Sequence, residues 1–177
     1  MEFNETKLKG AFVVTMKKIE DHRGYFARAW CRDEFTAHGL NPGMIQLNTG
    51  FSHAKGTLRG MHFQLAPHQE AKFVRCTQGA IYDVIVDMRP DSPTHRQWVG
   101  VELTASNGVM LYAPEGFAHG YQTLTDGAEI YYMTTALYAA GSAKGVRYND
   151  TVFGIDWPLP VSVISTQDQN WPDYITA

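Results

Sequence analysis

Gly56-Thr57-Leu58-Arg59-Gly60-Met61-His62-Phe63-Gln64 is the stretch from which the rest of the chain is read. Leu58, Met61 and Phe63 are apolar, whereas Arg59, His62 and Gln64 are polar. Gly56 and Gly60 supply a turn and a place where backbone can approach closely. A second stretch answers it: Gly108 to Thr123, GVMLYAPEGFAHGYQT. There an apolar run, Val109 to Ala113, meets a Pro-Glu-Gly turn and then a short strand carrying His119. Two strand pairs that each deliver a histidine inward predict a small barrel with a polar pocket.

Outward from these stretches, short strands recur about every ten residues: 44–52, 57–64, 71–77, 79–88, 97–104, 108–113, 118–124 and 128–137. Gln78-Gly79, Arg89-Pro90-Asp91-Ser92-Pro93 and Asp126-Gly127 punctuate them as turns. Towards the N-terminus, 10–19 and 24–30 have strand composition, and Asp21-His22-Arg23-Gly24 between them reads as a hairpin turn. Arg32 to Gly39 predicts one short helix, stopped by Gly39 and Pro42. From Asn149 the chain reads as irregular, apart from a short apolar run, Val161 to Ile164. Such a density of short strands predicts an all-β antiparallel jelly roll or sandwich. Phe73, Ile81, Val84, Val86, Trp98, Val99, Val101 and Leu103 are of the type that fills one.

With 177 residues the chain is expected to form a single domain over 1–177, and 44% of it is apolar, ordinary for a globular protein. The net charge of -3, with no long run of one sign, gives no footprint for nucleic acid or a charged membrane surface. Lys7, Lys9, Lys17, Lys18, Glu20 and Asp21 interrupt any apolar segment that would serve as a leader, and no stretch is long enough to span a bilayer. Cys31 and Cys76, with no CxxC spacing, read as free thiols in a reducing compartment, so a cytoplasmic location is expected.

The two opening stretches resemble the paired motifs of the cupin superfamily. Gly56 and His62 fit the first motif, but Gln64 stands where a second histidine is usual. Gly108, Pro114, Gly116 and His119 fit the second, and Thr123 replaces an asparagine. A metal-dependent cupin needs three or four nitrogen and oxygen ligands, and only His62 and His119 remain. No metal and no other cofactor is therefore expected.

A tighter resemblance covers nearly the whole chain, from Asp21-His22-Arg23-Gly24 to Asp168. LRGMHFQ, EAKFVRCTQGAIYDVIVDMRPDSPTHRQWVGVEL, YAPEGFAHGYQTL, AEIYYMTT and VRYNDTVFGIDWP look like the nucleotide-sugar epimerases typified by dTDP-4-dehydrorhamnose 3,5-epimerase. The resemblance implies a metal-free cupin jelly roll that works as a homodimer. It would invert the carbon centres flanking the C4 ketone of a deoxy sugar held by its diphosphonucleotide.

Such chemistry needs a base poised near neutrality, a stabiliser for the enolate oxygen and an acid on the opposite face. Imidazole suits the first task, with an unperturbed pKa of about 6.5. By resemblance His62 is the base and Asp168 the carboxylate that fixes its tautomer. Tyr132 is the acid and Lys72 the lysine beside the enolate oxygen. Strand alternation lets only one of Tyr131 and Tyr132 reach the pocket, so Tyr131 becomes the packing residue. Alternation also sets Lys72 opposite Phe73, facing either solvent or the barrel mouth.

Arg59, His119 and Arg23 are the diphosphate candidates, since arginine offers bidentate hydrogen bonds to phosphate. Family members exchange an N-terminal strand between subunits, so Arg23 and Phe26 are expected to serve the neighbour's site. Gln46 and Asn48 match polar residues lining the substrate pocket, and Arg28 also falls among the sugar and nucleotide contacts. The sequence departs from the rhamnose-pathway pattern at Arg28, Leu47, Met133, Leu137, Ala143 and Gln167, where Glu, Asp, Lys, Tyr, Glu and Lys are usual. None belongs to the base, acid or enolate set, so the departures bear on which sugar and nucleotide are held. The family contains double epimerases and members that stop at C3. A metal-dependent cupin and a sugar-binding cupin without turnover are the competing readings.

Overall fold

Gly79 is the hinge that turns the chain from one sheet into the other. It sits at φ 72° between β7 (Lys72–Gln78) and β8 (Ala80–Asp87), a backbone region that glycine adopts without strain. A computed structural model describes residues 1–174. The first sheet runs β1 (Glu2–Glu5), β2 (Phe12–Thr15), β10 (Val109–Ala113), β7, β12 (Ala128–Thr134), β5 (Gln46–Ser52). The second runs β13 (Ala143–Gly145), β6 (Thr57–Gln64), β11 (Phe117–Thr123), β8, β9 (Trp98–Thr104). A short β14 (Val163–Ile164) adds to β6 in parallel, and every other pairing is antiparallel. The two sheets face each other as the expected jelly roll.

Three apolar layers hold this together, where the sequence suggested one. Between the sheets lie Leu8, Val74, Cys76, Ile81, Ile85, Leu103, Leu111 and Ile130. Val84 and Val86, expected in the same interior, belong instead with Met61, Ala118, Val146 and Phe153 on the outer face of the second sheet. Phe73 belongs to a third layer outside the first sheet, with Val14, Phe35, Met110 and Tyr112. Burial on both faces explains why β8 reads as an unbroken apolar run: each face of its sheet has a cover. The short helix α1 (Arg32–Ala37) covers the first sheet by driving in Phe35, fully buried and edge-on to Phe3, Phe73 and Tyr112. Burying such a ring is worth about 1.5–3 kcal/mol, and each edge-on pair adds roughly 0.5–1.5 kcal/mol.

Several predicted boundaries move. The expected strand 10–19 splits into β2 and β3 (Ile19–Asp21), because after Thr15 the chain leaves the sheet to form a separate hairpin with β4 (Gly24–Phe26). The strand foreseen at 24–30 therefore stops at Phe26, and the one at 128–137 stops at Thr134. Strands β1, β13 and β14 and a four-residue helix α2 (Thr166–Gln169) were not foreseen, being too short to show a period.

One irregularity shapes the interior. A Cβ on Gly60 would fall 2.5 Å from Gly120 Cα, so β6 and β11 approach there closer than side chains allow. The register shifts between His119 and Tyr121 at this crossing. Strict alternation is thereby broken, and Arg59 and His62, three residues apart, both reach one cavity.

Candidate active site

His62 and His119 are directly opposed across β6 and β11 and point into a cavity of about 550 Å³ between the sheets. His62 Nε2 meets Asp168 Oδ1 at 2.6 Å, which leaves Nδ1 as the nitrogen free to take a proton. The imidazole side chain is 44% exposed, while Asp168 is buried. Ser165 caps α2 by accepting from the Asp168 backbone N–H at 3.0 Å, and this fixes where the carboxylate leaves the chain. Oδ2 accepts from the Gly60 N–H at 3.2 Å, and Oδ1 also accepts from the Trp171 indole N–H at 3.2 Å. Burial pushes the Asp168 carboxyl up. The His62 hydrogen bond and charge, with the Gly60 and Trp171 donors, more than offset this and hold it below the usual range.

The facing sheet supplies the opposite wall. Register places Lys72 beside Thr134, and Thr134 beside Gln46, in one inward row across β7, β12 and β5. The next inward row holds Val74, Tyr132 and Asn48. Lys72 thus faces the cavity rather than solvent and is nearly buried, with Phe73 turned to the outer layer. Its ammonium meets Glu70 Oε1 at 3.2 Å and the His62 carbonyl at 3.4 Å. Tyr132 lines the cavity and also packs on the layer between the sheets. Burial raises its phenol above the ordinary value, Glu70's charge raises it further, and Arg59 pulls the other way. Tyr131 is not the packing residue expected of it: it stands on the sheet's outer face, 42% exposed.

Arg59 lines the cavity at its open side, donating to Ser52 Oγ at 3.2 Å and to the Phe51 carbonyl at 3.0 Å. His119 Nε2 meets Asp83 Oδ1 at 2.7 Å on the neighbouring strand β8. The structure therefore brings together His62, Asp168, Lys72, Tyr132, Arg59 and His119. Gln46 and Asn48 share the inward face but lie beyond the cavity lining. Arg23 sits at the tip of the β3–β4 hairpin, paired with Asp21 at 2.6 Å, and Phe26 on β4 is exposed. Arg28 binds Glu34 at 2.7 Å, away from the cavity. Of the departures from the family pattern, Gln167 lines the cavity, Met133 packs on the outer layer, and Leu47 and Leu137 are exposed.

Gln64, where a cupin carries a second histidine, is committed elsewhere. Its Nε2 donates to the carbonyls of His68 and Leu137, and its Oε1 accepts from the Ala139 N–H, so it ties down the loop after β12. No group of three or more His, Cys, Asp or Glu side chains placed to hold a metal ion occurs among the described residues. Glu70, Asp83 and Trp171 were missed from sequence. An acid inside the apolar strand Ala80–Asp87 was a signal for Asp83, whereas Trp171 lies in a tail with no period to read.

The family model for dTDP-4-dehydrorhamnose 3,5-epimerase matches residues 5–175. A dTDP-4-dehydrorhamnose 3,5-epimerase of Sinorhizobium fredii is 39% identical over 173 residues, covering 97% of this chain and 89% of that protein. Among solved structures, the dTDP-4-dehydrorhamnose 3,5-epimerase of Elizabethkingia anophelis aligns with a TM-score of 0.95 and 37% identity, over 98% of this chain and 96% of that one. The Bacillus anthracis enzyme, with TDP and PPi bound, aligns with a TM-score of 0.94 and 36% identity, over 98% and 99% of the two chains.

Proposed function

This chain belongs to the dTDP-4-dehydrorhamnose 3,5-epimerase family, and from that premise we propose that it inverts C3 and C5 of a dTDP-4-keto-6-deoxyhexose, converting dTDP-4-dehydro-6-deoxyglucose to dTDP-4-dehydrorhamnose. The observation that carries this reading is that base and acid candidates stand on facing sheets across one cavity: His62 on β6, Tyr132 on β12. Inversion requires a proton to leave one face of a carbon and return on the other, which two opposed walls supply and one wall does not.

In the proposed sequence, His62 Nδ1 takes the proton α to the ketone, and Asp168 stabilises the imidazolium formed. The electron pair of the C–H bond moves into the ketone and makes an enolate, whose oxygen meets the Lys72 ammonium. Tyr132, held protonated by its surroundings, returns a proton to the opposite face, and the enolate collapses back to the ketone. The step is redox-neutral and needs no co-reactant: one proton leaves and one arrives. The second centre follows when the ring shifts to present its other α carbon to the same base.

Arg59 and His119 are the diphosphate contacts within the chain. Two copies form the working unit, with the β3–β4 hairpin of each carrying Arg23 and Phe26 to the other's cavity. All six strand residues of that hairpin are exposed and pair with no other strand, and an isolated two-stranded hairpin is at best marginal in water. Arg28, Gln46 and Asn48 complete the contacts to the sugar and nucleotide, and the whole chain acts as one jelly-roll domain. The two free cysteines support the cytoplasm as its location. Incubation with dTDP-4-keto-6-deoxyglucose in deuterated water, followed by NMR of the sugar protons, should show deuterium at both C3 and C5. Incorporation at C3 alone makes the chain a 3-epimerase, and none at either carbon makes it a sugar-binding protein.

A further inference from the structure

Asp168 Oδ1 is shared. It faces His62 Nε2 at 2.6 Å and accepts the Trp171 indole N–H at 3.2 Å, while Oδ2 is held by the Gly60 N–H. The carboxylate cannot turn about its own axis without losing a donor on one side or the other.

Trp171 reaches this oxygen from a defined seat. Its indole rests on Gly145, where an added Cβ would fall 2.3 Å from the ring carbon Cε2. Gly145 is the cross-strand partner of His62 between β13 and β6, so the indole occupies the same face of the sheet, next to the imidazole. The two rings stand edge to face at 6.3 Å and 70°. A glycine on β13, an indole in the place of its missing side chain and one carboxylate oxygen form a single support.

We propose that Trp171 is a positioning residue for proton abstraction, which aims Asp168 and divides the charge of its Oδ1 between the indole and His62. The inference rests on His62 being the base. A carboxylate with no second donor would grip the imidazolium harder and slow the return of its proton to solvent. An oxygen already engaged by an indole N–H grips less, and remains in place while the imidazole cycles.

The alternative is that Trp171 only fills the space above Gly145. Trp171→Phe separates the two, since it keeps an aromatic ring on the glycine and removes the N–H. Solvent-proton exchange into the substrate should slow by the worth of one hydrogen bond, roughly three- to tenfold, with KM unchanged. The acid limb of the kcat/KM profile should move to higher pH, because the unshared carboxylate favours the imidazolium. In an Asp168→Asn background the same substitution should change nothing, because the carboxylate it acts through is gone. A profile that coincides with wild type, or an equal loss in both backgrounds, overturns the proposal.

A measurement on the unmutated protein stands independently of folding and of substrate. The Trp171 indole N–H resonance should follow the titration of the His62 ring in NMR, and an indole signal that stays fixed through that titration overturns the proposal. Absence of any proton exchange by the wild type would instead sink the epimerase reading, leaving the NMR coupling to be judged by itself.

Discussion

At the scale of single residues, charges that partner the proposed reacting groups tune the site. Glu70 is one: it holds the Lys72 ammonium at 3.2 Å and raises the Tyr132 phenol. Glu70→Gln removes a negative charge from beside both. The phenol then ionises more readily, so the alkaline limb of the pH–rate profile should move to lower pH, and kcat should fall about tenfold as Lys72 loses its anchor. An unmoved alkaline limb would show that the phenol does not sense Glu70. The proposed base and acid are tested by separating exchange from inversion. His62→Ala should abolish exchange of the α proton by at least 10²–10⁴-fold, whereas Tyr132→Phe should keep exchange and lose the inverted product. Equal and total loss of exchange in both variants would contradict their division of labour. His62, Lys72, Tyr132 and Asp168 were picked out through the family resemblance, and the structure brings all four to one cavity. Tyr131 was misread because alternation says which of two neighbours faces the pocket, but not whether the other has anything outside the sheet to pack against.

Among the elements, the β3–β4 hairpin stands apart. It exposes Ile19, Tyr25 and Phe26 at 68%, 47% and 74%, a local concentration of apolar surface of the kind that marks an interaction site. Replacing Ile19 and Phe26 by serine should shift the chain from dimer to monomer in sedimentation velocity. It should also raise KM at least tenfold with little change in thermal midpoint, because neither side chain contributes to any of the three layers within the chain. A variant that remains dimeric with unchanged KM would show that the hairpin is not the exchanged element. Sequence could locate this hairpin, through Asp21-His22-Arg23-Gly24, but not detach it from β2, because Lys17-Lys18 reads equally well as the exposed face of a continuous strand. Strands β5 to β12 were legible for the opposite reason: each is long enough for its apolar pattern and turn residues to agree. The α2 turn that delivers Asp168 has four residues, and at that length capping chemistry is the only signal a sequence carries.

Taken whole, the molecule has a second carboxylate network, at the C-terminal end of β8. Asp87 is fully buried and accepts from the Arg89 guanidinium at 2.7 and 2.8 Å, Ser92 Oγ at 2.5 Å and Thr94 Oγ1 at 2.7 Å. Burial pushes this carboxyl up, but those donors outweigh it and bring it down to about 2. A depressed carboxyl contributes stability that is complete above its unfolded value of 3.8 and is lost as pH falls from there through about 2. The interval is worth about 2 kcal/mol, so Asp87→Asn should lose at least that at about pH 7, with the gap to wild type closing below about pH 3. Urea midpoints at the two pH values check it, and a gap independent of pH would assign the loss to packing. The facing of His62 and Tyr132 across the sheets has a consequence of another kind. The gap in which the proposed base and acid would hold a carbon is the local thickness of the sandwich, and that thickness is set by apolar side chains such as Val74, Ile85 and Ile130. The hydrophobic interior therefore acts as a spacer, and on the proposed mechanism trimming or enlarging it would change the gauge of the reaction while His62 and Tyr132 stay on their own sheets.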